Sequence, residues 1–263
     1  MSMILTTDNR KHRGSEKPLT DKAYWNAVWA HSDVSRLSFR QRWRTITLGR
    51  LVQKVAGHRY CSRRILEVGV GPGALLAQLG DFMNAGEVYG IDISEVACQK
   101  AITTLRQTER PSFILRGLAE ALPFASNAFN IVISQGLIEH FVEPTAILVE
   151  LARVVAPNGI IVTTVPNIAG CYGKFLSEFE PETYKLHVPV TLNDLDQMHK
   201  HIGLTTKVLM PFGGPSPTRL YRGLLGRMVR RIRNDMIGIA LRYDFIRADE
   251  FRSAELLYVG TKT

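Results

Sequence analysis

The sequence predicts a doubly wound α/β fold with a mostly parallel sheet, and three observations point there. Between residues 60 and 165, short β-rich runs alternate with stretches of helical period, the pattern of strands joined by crossover helices. The first run, Ile65–Val70, passes into a glycine turn and then into a helix. An acid, Asp92, follows the next run about 20 residues on, as at the nucleotide crevice of such sheets.

The chain has 263 residues, 45% hydrophobic and 22% charged, enough for one sizeable core and short of two complete α/β domains. The expected division is a flap with helices over 1–59 and a core over 60–263. That core carries a substrate loop over 166–189 and a basic helical insertion over 212–253.

Residues 1–20 hold turn formers and charges with little apolar periodicity, so a mobile segment or a flap over a site is expected. From Asp21, the residues Tyr24, Trp25, Val28 and Trp29 have helical spacing, and 36–55 repeat apolar residues at Leu37, Trp43, Ile46, Leu48, Leu51 and Val55. Strands are expected at Ile65–Val70, Glu87–Ile91, Ser112–Leu115, Asn130–Ser134 and Ile160–Val165. Between them, helices are expected at Ala74–Phe82, Glu95–Arg106 and Thr145–Val155, the last stopped by Ala156-Pro157-Asn158-Gly159. Thr191 can cap a helix that reaches His201 and ends at Gly203, and Leu204–Met210 and Leu256–Gly260 supply two further strands.

No apolar run approaches the ~20 residues that span a bilayer, and the N-terminus lacks the apolar stretch of a signal peptide, so a cytoplasmic protein is expected. Cys61, Cys98 and Cys171 lie far apart without CxxC spacing, which argues against a disulfide framework or a zinc site, and no metal is expected.

Glycine is needed where a backbone turns tightly or touches a ligand without an intervening Cβ, which makes Gly69, Gly71 and Gly73 the first cofactor candidates. Asp92 stands where a carboxylate can accept hydrogen bonds from both hydroxyls of a ribose. A nicotinamide or flavin enzyme usually shows G-x-G-x-x-G, whereas this turn reads G-x-G-x-G with Ala74 at the last glycine position, which leans against that rival.

With Ile65–Gly73, Asp92, Ala119-Glu120-Ala121-Leu122-Pro123-Phe124, Leu137-Ile138-Glu139-His140-Phe141 and Glu150–Gly159 in order, the stretch from 60 to 165 resembles the class I S-adenosylmethionine-dependent methyltransferases. The resemblance implies a seven-stranded Rossmann-like sheet of order 3-2-1-4-5-7-6, its last strand antiparallel. It implies S-adenosyl-L-methionine as cofactor, with contacts from Glu67, Gly69, Gly71, Gly73, Asp92, Ile93, Leu118, Ala119 and Gln135. Gly69 and its neighbours would face the methionine part, Asp92 the ribose, Leu118 and Ala119 the adenine, and Gln135 the mouth near the sulfonium. Two departures stand out: Leu118 replaces a frequent aspartate, leaving adenine to apolar and backbone contacts, and Asn130 replaces an aspartate that usually serves the sheet.

Methyl transfer from a sulfonium needs alignment and exclusion of water more than a catalytic constellation, but an acceptor hydroxyl or ammonium must lose a proton. His140, with Glu139 beside it, is the first candidate base, and His187 the weaker one. The pair reads equally well as a helix cap that orients the loop. In the aromatic segment from 166 to 189, Tyr172 and Tyr184 are candidates for acceptor contact, as is Trp25 of the N-terminal extension; packing against the N-terminal helices is the plainer role of these aromatics.

The formal charge is +9. Much of it lies between Arg219 and Arg233, where Arg219, Arg222, Arg227, Arg230, Arg231 and Arg233 accompany apolar residues at near-helical spacing. A lid helix with its arginines in water, peripheral contact with an anionic membrane, or a grip on a phosphorylated or lipid-linked acceptor all fit. Nucleic acid is not the expected partner, since Tyr221 alone gives little base stacking. The expected activity is methyl transfer to oxygen or nitrogen of a small molecule: a sugar, a glycan precursor or a natural product. The alternatives are an RNA methyltransferase using the arginine helix and a non-catalytic cofactor-binding protein.

Overall fold

The computed structural model describes residues 18–32, 39–57, 63–215 and 249–263. Seven strands form one sheet: β1 (Arg64–Val68), β2 (Glu87–Asp92), β3 (Ser112–Arg116), β4 (Phe129–Gln135), β5 (Val155–Pro166), β6 (Leu204–Pro215) and β7 (Ser253–Lys262). Their order is β3-β2-β1-β4-β5-β7-β6, the first five parallel and β7 running antiparallel between β5 and β6. The expected sheet, with its inserted last strand, is the one observed.

Successive strand residues serve opposite faces, and here both faces are covered, so the strands read as continuous apolar runs. Ile65, Val88, Ile131, Ile133, Val162 and Val259 meet α2 (Phe39–Ala56), α3 (Ala74–Phe82) and α4 (Glu95–Leu105) through Leu48, Val52, Leu76, Leu79, Cys98 and Ala101. On the other face Leu66, Val132, Ile161 and Tyr258 meet α5 (Thr145–Val154) and α8 (Leu192–His201) through Ile147, Leu151 and Leu195.

Short polar residues set the helix starts. Asp21 accepts from Tyr24 N at 2.8 Å to begin α1 (Lys22–Ala30), and Ser94 accepts from Ala97 N at 3.1 Å to begin α4. Thr191 and Asp194 form the capping box of α8. Asn130 does serve the sheet, its Oδ1 accepting from Arg64 N at 2.9 Å at the foot of β1.

Two expectations change. The segment 166–189 is not a loop throughout but holds α6 (Cys171–Phe179) and α7 (Pro181–Tyr184). Asn167 turns the chain by donating to Ser253 O and Oγ at 3.2 and 3.0 Å, Cys171 N donates to Phe251 O, and Leu176 buries the inner side of α6. Phe175 and Phe179 stack one turn apart with ring centroids 5.0 Å from each other. The strands flanking the insertion are also longer than expected, because antiparallel pairing continues to Pro215↔Ser253. Residues 1–17 and the arginine-rich stretch Arg219–Arg233 lie outside the described residues. Among the described residues, no helix is long and apolar enough to cross a membrane.

Candidate functional site

The strand order reverses between β1 and β4, which opens a crevice at the C-terminal edge of the sheet. The turn from β1 to α3 borders it, with Gly69, Gly71 and Gly73 at φ of +77°, +50° and +79°, a region costly for residues with a Cβ. A Cβ on Gly73 would stand 3.0 Å from Ala101 Cα, so this glycine lets α3 pack closely against α4. Gly71 N donates to Asp92 Oδ2 at 2.9 Å and Ser94 N to Oδ1 at 2.8 Å, so the acid at the end of β2 holds the turn. Burial pushes the Asp92 carboxyl above its usual range, against the opposing pull of the Ser94, Gly71 and Ile93 N–H groups. Each oxygen still has acceptor capacity for a ligand hydroxyl.

A cavity of about 720 Å³ opens there, within the size range of small-molecule sites. Among the residues singled out from sequence, Glu67, Gly69, Gly71, Asp92, Ile93, Leu118, Ala119, Gln135, Trp25 and His140 line it. Gly73, Glu139, His187, Tyr172 and Tyr184 do not. Tyr172 sits on α6 and Tyr184 at the end of α7, so the helices that replace the expected loop carry both away from the cavity wall.

Glu67 near the end of β1 is only 3% exposed and burial pushes its carboxyl up to about 8. Its Oε2 has no hydrogen-bond partner, an arrangement that suits a cationic or donor group of a ligand.

At the far end of the cavity, a single 3₁₀ turn, Ile138–His140, buries Glu139 and His140. His140 Nδ1 lies 2.7 Å from Leu186 O; a carbonyl only accepts, so Nδ1 carries the proton and Nε2 keeps its lone pair. Burial, helped by neighbouring His187, holds His140 neutral by bringing it down to about 4. The His187 ring stands 4.7 Å away, lowered by burial too, its Nδ1 2.8 Å from Thr183 O. Glu139 Oε1 is 3.7 Å from His140 Nε2, too far for a hydrogen bond, and burial raises this carboxyl to about 8. The ring edge of Trp25 closes the other side of His140 at 4.9 Å between centroids.

The comparisons with known proteins agree with this architecture. Residues 66–163, from β1 to β5, match the family model of a methyltransferase domain. An uncharacterized methyltransferase of Schizosaccharomyces pombe is 38% identical over 106 residues, 37% of this chain and 38% of that protein. The ubiquinone biosynthesis O-methyltransferase of Neisseria meningitidis is 31% identical over 113 residues, 41% of this chain and 46% of that one. Residues 66–163 thus form a methyltransferase domain of the class I S-adenosylmethionine-dependent kind. The chain spans less than half the length of either curated relative. A SAM-dependent methyltransferase from Aquifex aeolicus shares the fold at a TM-score of 0.58 and 14% identity, covering 93% of this chain and 100% of that one.

The cofactor that this domain implies is S-adenosylmethionine, and the cavity fits it. Asp92 would offer acceptor oxygens to ribose hydroxyls, Leu118 and Ala119 would offer apolar walls to adenine, and Glu67, whose Oε2 has no hydrogen-bond partner, would suit the cationic end of the methionine part. The lining residues that sequence reasoning did not single out include Trp29 of α1 and Gln41, Arg44 and Thr45 of α2. Arg44 also pairs with Glu255 of β7. A signal for Trp29 was present, since Trp25 and Trp29 share one helical face, yet no residue of α1 is fully buried, so that face serves no core.

Proposed function

We propose that the chain transfers the methyl group of S-adenosylmethionine to oxygen or nitrogen of a small-molecule acceptor that enters beside His140. The observation that carries this is the continuity of one cavity from the Asp92 end of the glycine turn to His140. The bound cofactor supplies an activated methyl on a sulfonium with a neutral leaving group, so the chain contributes mainly alignment and exclusion of water. The turn from Gly69 to Gly71, held by Asp92, fixes the cofactor, and Trp25, Leu137 and Phe141 wall the reacting end with apolar surface. His140 receives the acceptor proton at Nε2, a base already neutral and free at that atom because Nδ1–H is committed to Leu186 O. The O-methyltransferase name of the Neisseria relative favours oxygen as the first acceptor atom to test.

The experiment is calorimetric titration with S-adenosylmethionine and S-adenosylhomocysteine, with NAD as control, followed by methyl-labelled cofactor against sugars, glycan precursors and natural products. Binding of the first two alone, then turnover that drops about 10²–10⁴-fold in His140→Gln at unchanged S-adenosylhomocysteine affinity, is expected. A preference for NAD would remove the cofactor assignment; cofactor binding without label transfer to any acceptor would leave a binding protein.

A further inference from the structure

Arg44 is the one arginine or lysine among the described residues that line the cavity, and most of its donors are unspent. A guanidinium presents N–H groups on Nε, Nη1 and Nη2 in a rigid fork. Arg44 Nη1 donates to Glu255 Oε1, and no other acceptor among the described residues takes a hydrogen bond from this side chain. The pair is end-on, with Glu255 Oε2 left without a partner, so the Nε–Nη2 edge of the fork stays open. The Arg44 side chain is only 21% exposed, so an anion on that edge would be partly shielded from water, where a charge-assisted hydrogen bond gains strength.

The sheet order fixes which part of a ligand can reach this arginine. Asp92 ends β2, whereas Glu255 belongs to β7, three strands beyond β1, and α2 packs across β5 and β6. The Arg44 end of the cavity therefore lies on the opposite side of β1 from Asp92, away from the ribose of a bound cofactor. It lies toward His140 instead. Burial raises the carboxyl of Glu139, the neighbour of His140, and the Glu255 charge adds to that rise, so the Arg44–Glu255 pair is within electrostatic reach of the 3₁₀ turn. A monoanion suits this place better than a dianion: one arginine charge, engaged by Glu255 and acting on Glu67 as well, cannot balance two further negative charges. A carboxylate, planar and able to accept two parallel N–H bonds, matches the open edge.

We infer that Arg44 is a specificity-determining residue that holds a carboxylate of the methyl acceptor on its Nε–Nη2 edge, so that the acceptor is a small hydroxy- or amino-carboxylic acid whose reacting atom stands at His140 Nε2. The inference rests on the proposed methyl transfer beside His140 and adds the chemical class of the acceptor. In that transfer the acceptor oxygen or nitrogen bonds the methyl carbon as the carbon–sulfur bond breaks. The bonding pair stays on sulfur to give S-adenosylhomocysteine, and the acceptor proton passes to His140 Nε2. The carboxylate takes no part in bond making; its hold on Arg44 fixes one end of the acceptor so that the other end meets the methyl group in line.

The full chain is assayed with methyl-labelled S-adenosylmethionine against hydroxybenzoic acids, 2-hydroxy acids and amino acids, each beside its methyl ester, with sugars and sugar phosphates as comparison sets. Transfer to one or more of the acids is expected, at a kcat/KM at least about tenfold above that of the matching ester. Arg44→Lys keeps a cation against Glu255 and removes the fork, and is expected to raise KM for the acid about 10–100-fold. Its kcat, its ester turnover and its S-adenosylhomocysteine affinity are expected to stay within about threefold of wild type. Arg44→Gln is expected to abolish the preference for acid over ester. Equal use of acid and ester, transfer only to uncharged or phosphorylated acceptors, or an unchanged KM for the acid in Arg44→Lys overturns the inference while methyl transfer stands. Weaker S-adenosylhomocysteine with unchanged 5′-methylthioadenosine, which lacks the amino-acid end, in Arg44→Lys would assign the arginine to the cofactor and overturns it too. A wild type that binds S-adenosylhomocysteine and labels no acceptor would overturn the proposed function itself.

Discussion

The Trp29 indole rests so closely on Gly71 that an added Cβ would make it give way by a few tenths of an ångström: a Cβ at position 71 would stand 3.0 Å from Cζ2 and 3.1 Å from Cη2. Gly71 also has φ +50°, where an L-residue is strained by about 1–2 kcal/mol. Gly71→Ala should therefore lose roughly that much stability and, by pushing Trp29 and α1 outward, weaken S-adenosylhomocysteine at least about tenfold. Thermal melts and calorimetry on one preparation check this. Lost stability with intact affinity would show that α1 follows the turn without touching the ligand.

Asp92 acts twice, holding Gly71 N and Ser94 N and facing the cavity. Asp92→Ala leaves two backbone N–H groups without their acceptor and removes the ribose partner, so both stability and cofactor affinity should fall, each by about 1–3 kcal/mol. Asp92→Asn keeps one carbonyl oxygen and should recover part of the stability but less of the affinity. A folded Asp92→Ala with wild-type affinity would take this acid out of the cofactor site.

The β1–turn–α3 unit and Asp92 were legible because the chemistry is local: an apolar strand, glycines at positive φ and an acid one crossover later leave their pattern in consecutive residues. Arg44 and Glu255 were not, because α2 and β7 meet only through the folded sheet, and no spacing rule connects positions 44 and 255. Tyr172 and Tyr184 misled for a related reason. Aromatics after β5 suggest a binding loop, but the four-residue spacing of Phe175 and Phe179 is that of a helix, and Leu176 shows which side it buries.

Stability of the ligand-free chain should fall as pH rises from 6.5 to above 8. Glu67 and Glu139 are raised to about 8 in the folded chain by burial, so folding holds their protons, and that stability is lost as pH climbs through the folded value. His140 and His199 are lowered by burial to about 4, so their effect has the opposite sign and acts below 6.5, where it offsets the acids. Above 6.5 the acids act alone, with an upper bound of about 1.4 kcal/mol per pH unit for each. Denaturant melts at pH 6.5, 7.5 and 8.5 should show the decline, and Glu67→Gln should flatten it. A wild-type midpoint that holds steady across this range would mean that Glu67 and Glu139 are already ionised at neutral pH.

Lys100 on α4 is the clamp that sets α1 over the cavity. Its ammonium donates to Trp29 O in the last turn of α1 and to Ser32 O just beyond it, meeting the negative end of the helix dipole. None of α1 is fully buried, so this attachment and the Asn26–Ser94 hydrogen bond, rather than core packing, hold the helix. Lys100→Met keeps the aliphatic stem and removes the clamp. The global melt should then move little, since the core clusters contain no α1 residue, while S-adenosylhomocysteine affinity drops by about 1–2 kcal/mol because Trp29 must be brought to the turn at each binding event. Amide exchange would report the same change as faster exchange over 22–30 in the free protein and restored protection with ligand bound. Wild-type affinity combined with fast exchange over 22–30 would separate α1 from the cofactor site and return Trp29 to the surface.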